Sequence, residues 1–161
     1  MPGFVFSSTL ALSPADASAR LLRPPAVNAE LGPWLRMTMP APWDERPLPA
    51  WPVGRPLFRS VILLLGVLPL DLHHFRLEAT GEAGFYERSS SLVMRSWRHK
   101  RLLRAVPGGT LVEDRVVFAS RFPVLGSLLA PVYRAVFRHR HRRLRRRYAQ
   151  VGEQAPQVFQ R

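Results

Sequence analysis

Two segments on either side of Pro107-Gly108-Gly109, "SWRHKRLLRAV" (96–106) and "TLVEDRVVFAS" (110–120), constrain this chain more than any other feature. Each alternates large apolar and charged residues with a period of two, the pattern of a half-buried strand, and the turn residues between them predict a hairpin. Matching the hydrophobic positions sets Leu103 opposite Val112, Arg101 opposite Asp114, His99 opposite Val116 and Trp97 opposite Phe118. One face then carries these eight side chains, and the other carries Arg98, Lys100, Arg104, Glu113 and Arg115, a solvent face. A sheet with such an inner face needs a second layer to cover it.

The alternation drives His99, Arg101 and Asp114 inward among large apolar side chains, where an unpaired charge costs several kcal/mol. Arg101 and Asp114 can answer each other as an ion pair. Two readings stay open for the trio: a buried network that fixes strand register, or polar anchors that orient an apolar ligand in a cavity under the sheet.

The cover is predicted from the C-terminal helix, about 127–149. At the helical period Leu129, Tyr133, Phe137, Leu144 and Tyr148 form one stripe with Val136 beside it. Arg134, Arg138, Arg142, Arg145 and Arg146 fall on the opposite arc, which reads as solvated. Arg140 and His141 lie at the stripe's edges and either snorkel to solvent or reach between helix and sheet.

Upstream, residues 4–12 are β-prone. "SPAD" then offers Ser13 as N-cap, Pro14 at the first helical position and Asp16 near the positive end of the dipole of a helix over 14–23. A second short helix runs through "AVNAEL". A strand follows over 34–40, then a proline-rich loop over 41–56 that suits a lid. A bent strand over 57–70, a strand over 73–79, a turn at Gly81–Gly84 and a long extended segment over 85–106 complete the order. The class is α+β, a curved antiparallel sheet wrapped around a helix, with two short helices after the first strand.

At 161 residues the chain is expected to form a single domain, with 150–161 as a flexible tail. Its formal charge is +13, and Lys100 is the only lysine among 24 basic residues. Such a field attracts phosphate, anionic lipid or acidic protein. An anionic membrane surface met through the outer helix arginines is a possible partner. Nucleic acid is not an expected one, because no groove-reading module or base-stacking signature is present.

Without cysteine there is no thiolate or Cys-ligated metal. His73 and His74 point to opposite faces of a strand, and His139 and His141 diverge on a helix, so no metal is expected. No hydrolase nucleophile motif, phosphate loop or dinucleotide fingerprint occurs, and no cofactor is expected. The N-terminal apolar stretch lacks a cationic lead and reads as a strand, and "SVILLLGVLPL" is shorter than the about 20 residues of a spanning helix. The expected location is the cytoplasm.

The run "MRSWRHKRLLRAVPGGTLVEDRVVF", followed by a proline-containing loop and "FRHRHRRLRRRY", resembles the SRPBCC superfamily of START-like and pollen-allergen-like domains. Within it, the chain is similar to a bacterial branch related to polyketide cyclase/dehydrase-like proteins. The likeness extends from "SSTLALSPADASARLL" to Tyr148, and is sharpest at Trp97-x-His99, Gly109-Thr110 and Asp114. The resemblance implies the helix-grip fold, about seven strands around the long terminal helix and a hydrophobic cavity. It also implies a lipid, quinone or polyketide-like ligand. Joined to the inward pattern, it yields an expected binding set of Trp97, His99, Arg101, Asp114, Phe118, Tyr133, Phe137 and His141. The expected function is binding rather than catalysis; a cyclase or hydrolase would use His99 and Asp114 as acid and base.

Overall fold

The structure is a computed structural model that describes residues 2–149, so the expected tail over 150–161 lies outside the described residues. Strand β1 (Gly3–Leu10) leads into helices α1 (Pro14–Leu21) and α2 (Pro24–Leu31) and strand β2 (Leu35–Met37). After a single 3-10 turn (Leu48–Ala50) come β3 (Pro56–Leu64), β4 (Leu68–Gly81), β5 (Gly84–Ser91), β6 (Met94–Val106) and β7 (Gly109–Ser120). Helix α3 (Pro123–Tyr148) follows. The strands form one seven-stranded sheet in the order β1-β7-β6-β5-β4-β3-β2, antiparallel at every pairing. The sheet grips α3 in the helix-grip arrangement, as expected. None of the described helices is long and apolar enough to cross a membrane.

Local chemistry explains most boundaries. Ser13 Oγ accepts from the Asp16 amide at 3.1 Å and caps α1. Pro24 and Pro25 do more than stop α1, because they open α2 at positions where a missing N–H costs nothing. The β6–β7 register is the expected one, with Arg101 opposite Asp114 and Trp97 opposite Phe118. Gly109 (φ 154) is required there: a Cβ would lie 1.9 Å from the Leu10 carbonyl oxygen of β1.

Three expectations need correction. The bent strand over 57–70 is two strands, because Leu65 (φ 51) and Gly66 (φ 77) turn the chain over between β3 and β4. The extended segment over 85–106 breaks at Leu92–Val93, where Ser91 Oγ accepts from the Met94 amide at 3.0 Å. Helix α3 begins at Pro123 rather than about 127, since proline at the first helical position and Gly126 are both tolerated near a helix start.

The interior holds two apolar clusters. One lies beneath α1 and the proline-rich loop and contains Leu10, Leu21, Leu22, Leu48, Trp51, Phe75, Leu77, Leu103, Val112 and Leu144. The loop is pinned there, with Leu48 N–H donating to Leu22 O at 2.9 Å and Gly54 N–H to Leu77 O at 2.7 Å. The other lies under the first half of α3, where Met94, Val116, Phe118 and Phe137 are joined by Phe4, Phe6, Trp97, Leu129 and Tyr133.

Candidate functional site: a charged belt beside an aromatic cluster

Between the two clusters runs a belt of buried polar groups. Arg101, wholly buried, is placed inward by the β6 alternation, and its guanidinium is gripped from two sides. Its Nε and Nη2 donate to the Asp114 carboxylate at 2.8 and 2.7 Å across the β6–β7 pair. Its Nη1 and Nη2 donate to the Glu30 carboxylate, each at 2.8 Å, from the second short helix. Arg140 comes down from α3 and donates through Nε and Nη2 to Glu30 Oε2 at 2.9 and 2.7 Å. These are bidentate, charge-assisted contacts, the strong class of hydrogen bond.

Three imidazoles extend the belt. His99 Nε2 lies 2.9 Å from Asp114 Oδ1, and His141 Nε2 lies 3.1 Å from Asp114 Oδ2. His73 Nε2 lies 2.6 Å from Glu87 Oε1, whose other oxygen is 3.6 Å from His99 Nδ1. An ionised carboxylate only accepts, so each of these Nε2 atoms carries the proton and donates. Neutral His141 then accepts at Nδ1 from the Ser8 hydroxyl at 2.9 Å, and Ser8 Oγ in turn accepts from Arg145 Nη1 at 2.9 Å.

The charges are held in their ionised forms. Burial pushes the carboxyls of Asp114 and Glu30 up, but the Arg101 charge opposes it, helped by His99 and His141 at Asp114 and by Arg140 at Glu30. Glu30 ends below and Asp114 well below the usual carboxylate range. Glu87 is likewise raised by burial and brought far below that range by His73 and His99. Burial pulls the Arg101 guanidinium down, and Asp114 and Glu30 hold it well above its ordinary value. Three carboxylates face two guanidiniums here, and the three imidazoles supply further hydrogen bonds to them.

The eight expected binding residues all reach the space between sheet and helix, in two groups. His99, Arg101, Asp114 and His141 belong to the belt. Trp97, Phe118, Tyr133 and Phe137 belong to the aromatic cluster, with Trp97–Tyr133 centroids 4.9 Å apart, Phe118–Tyr133 5.2 Å and Trp97–Phe137 6.3 Å. Phe137 sits edge-to-face on His99 at 5.2 Å and under the Arg140 guanidinium at 4.8 Å, so it joins the two groups. Trp97 and Tyr133 are only half-buried. Burial and the nearby Asp71 charge push the Tyr133 phenol up to about 12.

Glu30, Glu87, His73 and Ser8 were missed by sequence reasoning. For His73 and Glu87 the signal existed: stepping by two from Phe75 and Leu77, or from Phe85, puts both on the inner face. For Glu30 there was none, because a lone acid on a short helix does not declare which way it points. Of the outer helix arginines, Arg134, Arg138, Arg142, Arg145 and Arg146 are exposed, although Arg145 also bends back to Ser8.

Two hollows lie outside this interior. One of about 310 Å³ opens at the rim between α2 and the end of α3, with Glu30 at its base and Arg143, Arg146 and Arg147 around it. The other, of about 780 Å³, lies along β3–β6 and is lined by Arg59, His74, Arg76, Arg88, Arg95 and Arg98.

Several solved structures share this architecture. A START superfamily protein from Mycobacterium smegmatis matches with a TM-score of 0.64 and 12% identity, covering 93% of this chain and 99% of that one. Ara h 8.0201 matches at 0.52 and 14% identity, over 89% and 97%. DynU16, from the dynemicin biosynthetic locus, matches at 0.56 and 10% identity, over 91% of this chain and 48% of its own. Such identities establish the shared helix-grip fold. Among curated proteins none matches the chain. The family model described as "Domain of unknown function (DUF8410)" matches residues 8–148, from Ser8, whose hydroxyl donates to His141, to the last residue of α3, and the chain belongs to that family.

Proposed function

We propose that this protein binds a small apolar molecule between the sheet and α3, against the aromatic cluster of Trp97, Phe118, Tyr133 and Phe137 and beside the charged belt. The observation that carries the reading is the asymmetry of the interior. On one side of the belt the apolar cluster is closed by α1 and the pinned loop, and on the other Trp97 and Tyr133 remain partly open. Half-exposed aromatic rings beside a fixed polar belt suit a flat, mostly apolar guest, such as a quinone or polyketide-like ring, that stacks on them. The same geometry favours binding over acid–base catalysis: both ring nitrogens of His99 face carboxylates, which leaves neither free to exchange a proton with a guest.

The test is extraction of the purified protein with organic solvent and mass spectrometry of the extract, joined to titration with a fluorescent apolar probe. A co-purifying apolar compound is expected, together with saturable probe binding weakened about tenfold by Trp97→Ala, the scale of losing one aromatic contact. Absence of both the compound and saturable binding would sink the reading, as would probe affinity unmoved by Trp97→Ala and Tyr133→Ala together.

A further inference from the structure

The fold gathers at one end a set of large apolar side chains that neither interior cluster uses. β3 turns into β4 at Leu65–Val67, β5 passes to β6 at Leu92–Val93, and β7 passes to α3 at Arg121–Phe122. In an antiparallel sheet of this order the three connections lie at the same end. Hydrogen bonds tie them together: Asp71 Oδ1 accepts from the Leu92 amide at 3.0 Å, Arg121 N–H donates to Val93 O at 3.0 Å, and Leu65 N–H donates to Trp34 O at 2.8 Å. On this frame Val67 is 80% exposed, Val124 76% and Leu128 63%. Trp34, Leu65, Leu68, Leu70, Leu92, Phe122 and Val132 are each more than half exposed.

Isolated exposed leucines are ordinary, but apolar tips assembled from four separate segments are not. Val124, Leu128 and Val132 recur every fourth residue, so the first half of α3 carries an outward apolar stripe besides the inward one of Leu129, Tyr133 and Phe137. Leu65 is held in the left-handed region, a strained place for a leucine, and the turn so formed leaves its side chain in solvent. Around these tips the segments 34–36, 63–72, 91–95 and 120–134 bring Arg36, Arg95, Arg121 and Arg134. Their single acid, Asp71, accepts from the Leu72 and Leu92 amides.

We propose that this end docks the protein on an anionic lipid bilayer, with the apolar tips at the headgroup–acyl boundary and the arginines on lipid phosphates. A cluster of greasy tips rimmed by cations matches such a surface in both shape and charge, and an exposed tryptophan beside it suits the interface. A second copy of the chain is the poorer occupant, since it would bring the same arginine rim against itself in a molecule of net charge +13. The half-buried Trp97 and Tyr133 lie toward this same end, but docking stands without any guest.

The experiment is co-sedimentation of the full chain with phosphatidylcholine vesicles, with and without phosphatidylglycerol. Binding to the anionic vesicles is expected. The double variant Val67→Asp/Val124→Asp should weaken it at least tenfold with an unchanged circular dichroism spectrum, and Arg36→Ala/Arg95→Ala should weaken it severalfold. No binding to anionic vesicles, or equal binding by the Val67/Val124 variant, overturns the proposal. So does a loss confined to Arg142→Ala/Arg146→Ala, which would assign the lipid to the far half of α3. A lipid-free dimer in sedimentation velocity that Val67→Asp/Val124→Asp dissolves would award the surface to a second copy. Probe binding in lipid-free buffer, which Val67→Asp/Val124→Asp should leave intact, keeps this outcome separate from that of the guest pocket.

Discussion

The belt and the apolar end invert the usual partition of a small domain, one placing charge inside and the other placing grease outside, and they are tolerated for different reasons. In the belt every charge has a hydrogen-bonding partner, Arg101 and Arg140 on Asp114 and Glu30 and the His73 imidazole on Glu87, so burial strengthens the contacts that offset its own desolvation. At the apolar end the exposed side chains stay in solvent, outside both interior clusters. One region is held in place by internal chemistry, whereas the other makes sense through something the chain meets.

The two should therefore break differently. The largest effect is expected from Arg101→Ala, which strands Asp114 and unpairs one side of Glu30: chemical denaturation should show a loss of about 3–5 kcal/mol. Arg101→Ala/Asp114→Ala should lose clearly less than the sum of the single losses, because the partners share one network. Next comes acid. Asp114, Glu30 and Glu87 have folded pKa values below their unfolded ones, so their contribution is complete above the unfolded carboxylate range. It is lost as pH falls from about 5 toward and through the depressed folded values, and the urea midpoint should drop steeply there. Glu87→Gln should flatten that dependence. At the alkaline side, ultraviolet titration should find Tyr133 ionising last, near 12; its raised pKa adds stability below about pH 10 that is lost as pH rises through the folded value. The smallest effect on stability should come from Val67→Asp/Val124→Asp, within about 0.5 kcal/mol per site, the usual range for exposed positions.

How much of this was legible in the sequence follows from where each constraint is written. The β6–β7 hairpin was readable to the residue because its two strands carry opposed periodic patterns across a short turn, so local chemistry alone fixes the register. The inner stripe of α3 was readable for the same reason. The β3–β4 turn was not, because it runs through continuous apolar sequence, where a reversal and a bend look alike until Leu65 is seen left-handed. Glu30 was least legible: its role is set by Arg101, 71 residues away, and by Arg140, 110 residues away, and periodicity carries no information over such spans. The outward stripe of Val124, Leu128 and Val132 was obscured by starting the helix about one turn late.

The pairing of β1 with β7, Gly3 opposite Val117, sets a condition on synthesis. Strand β1 is made ahead of β7, the described strand that pairs with it, and waits while about a hundred intervening residues are added. Until α3 also emerges, Phe4 and Phe6 have no helix to lie against. Strands β2 to β7 can pair in the order in which they are made, whereas the β1 edge and the cover of α3 close last, a window in which a chaperone has most to guard.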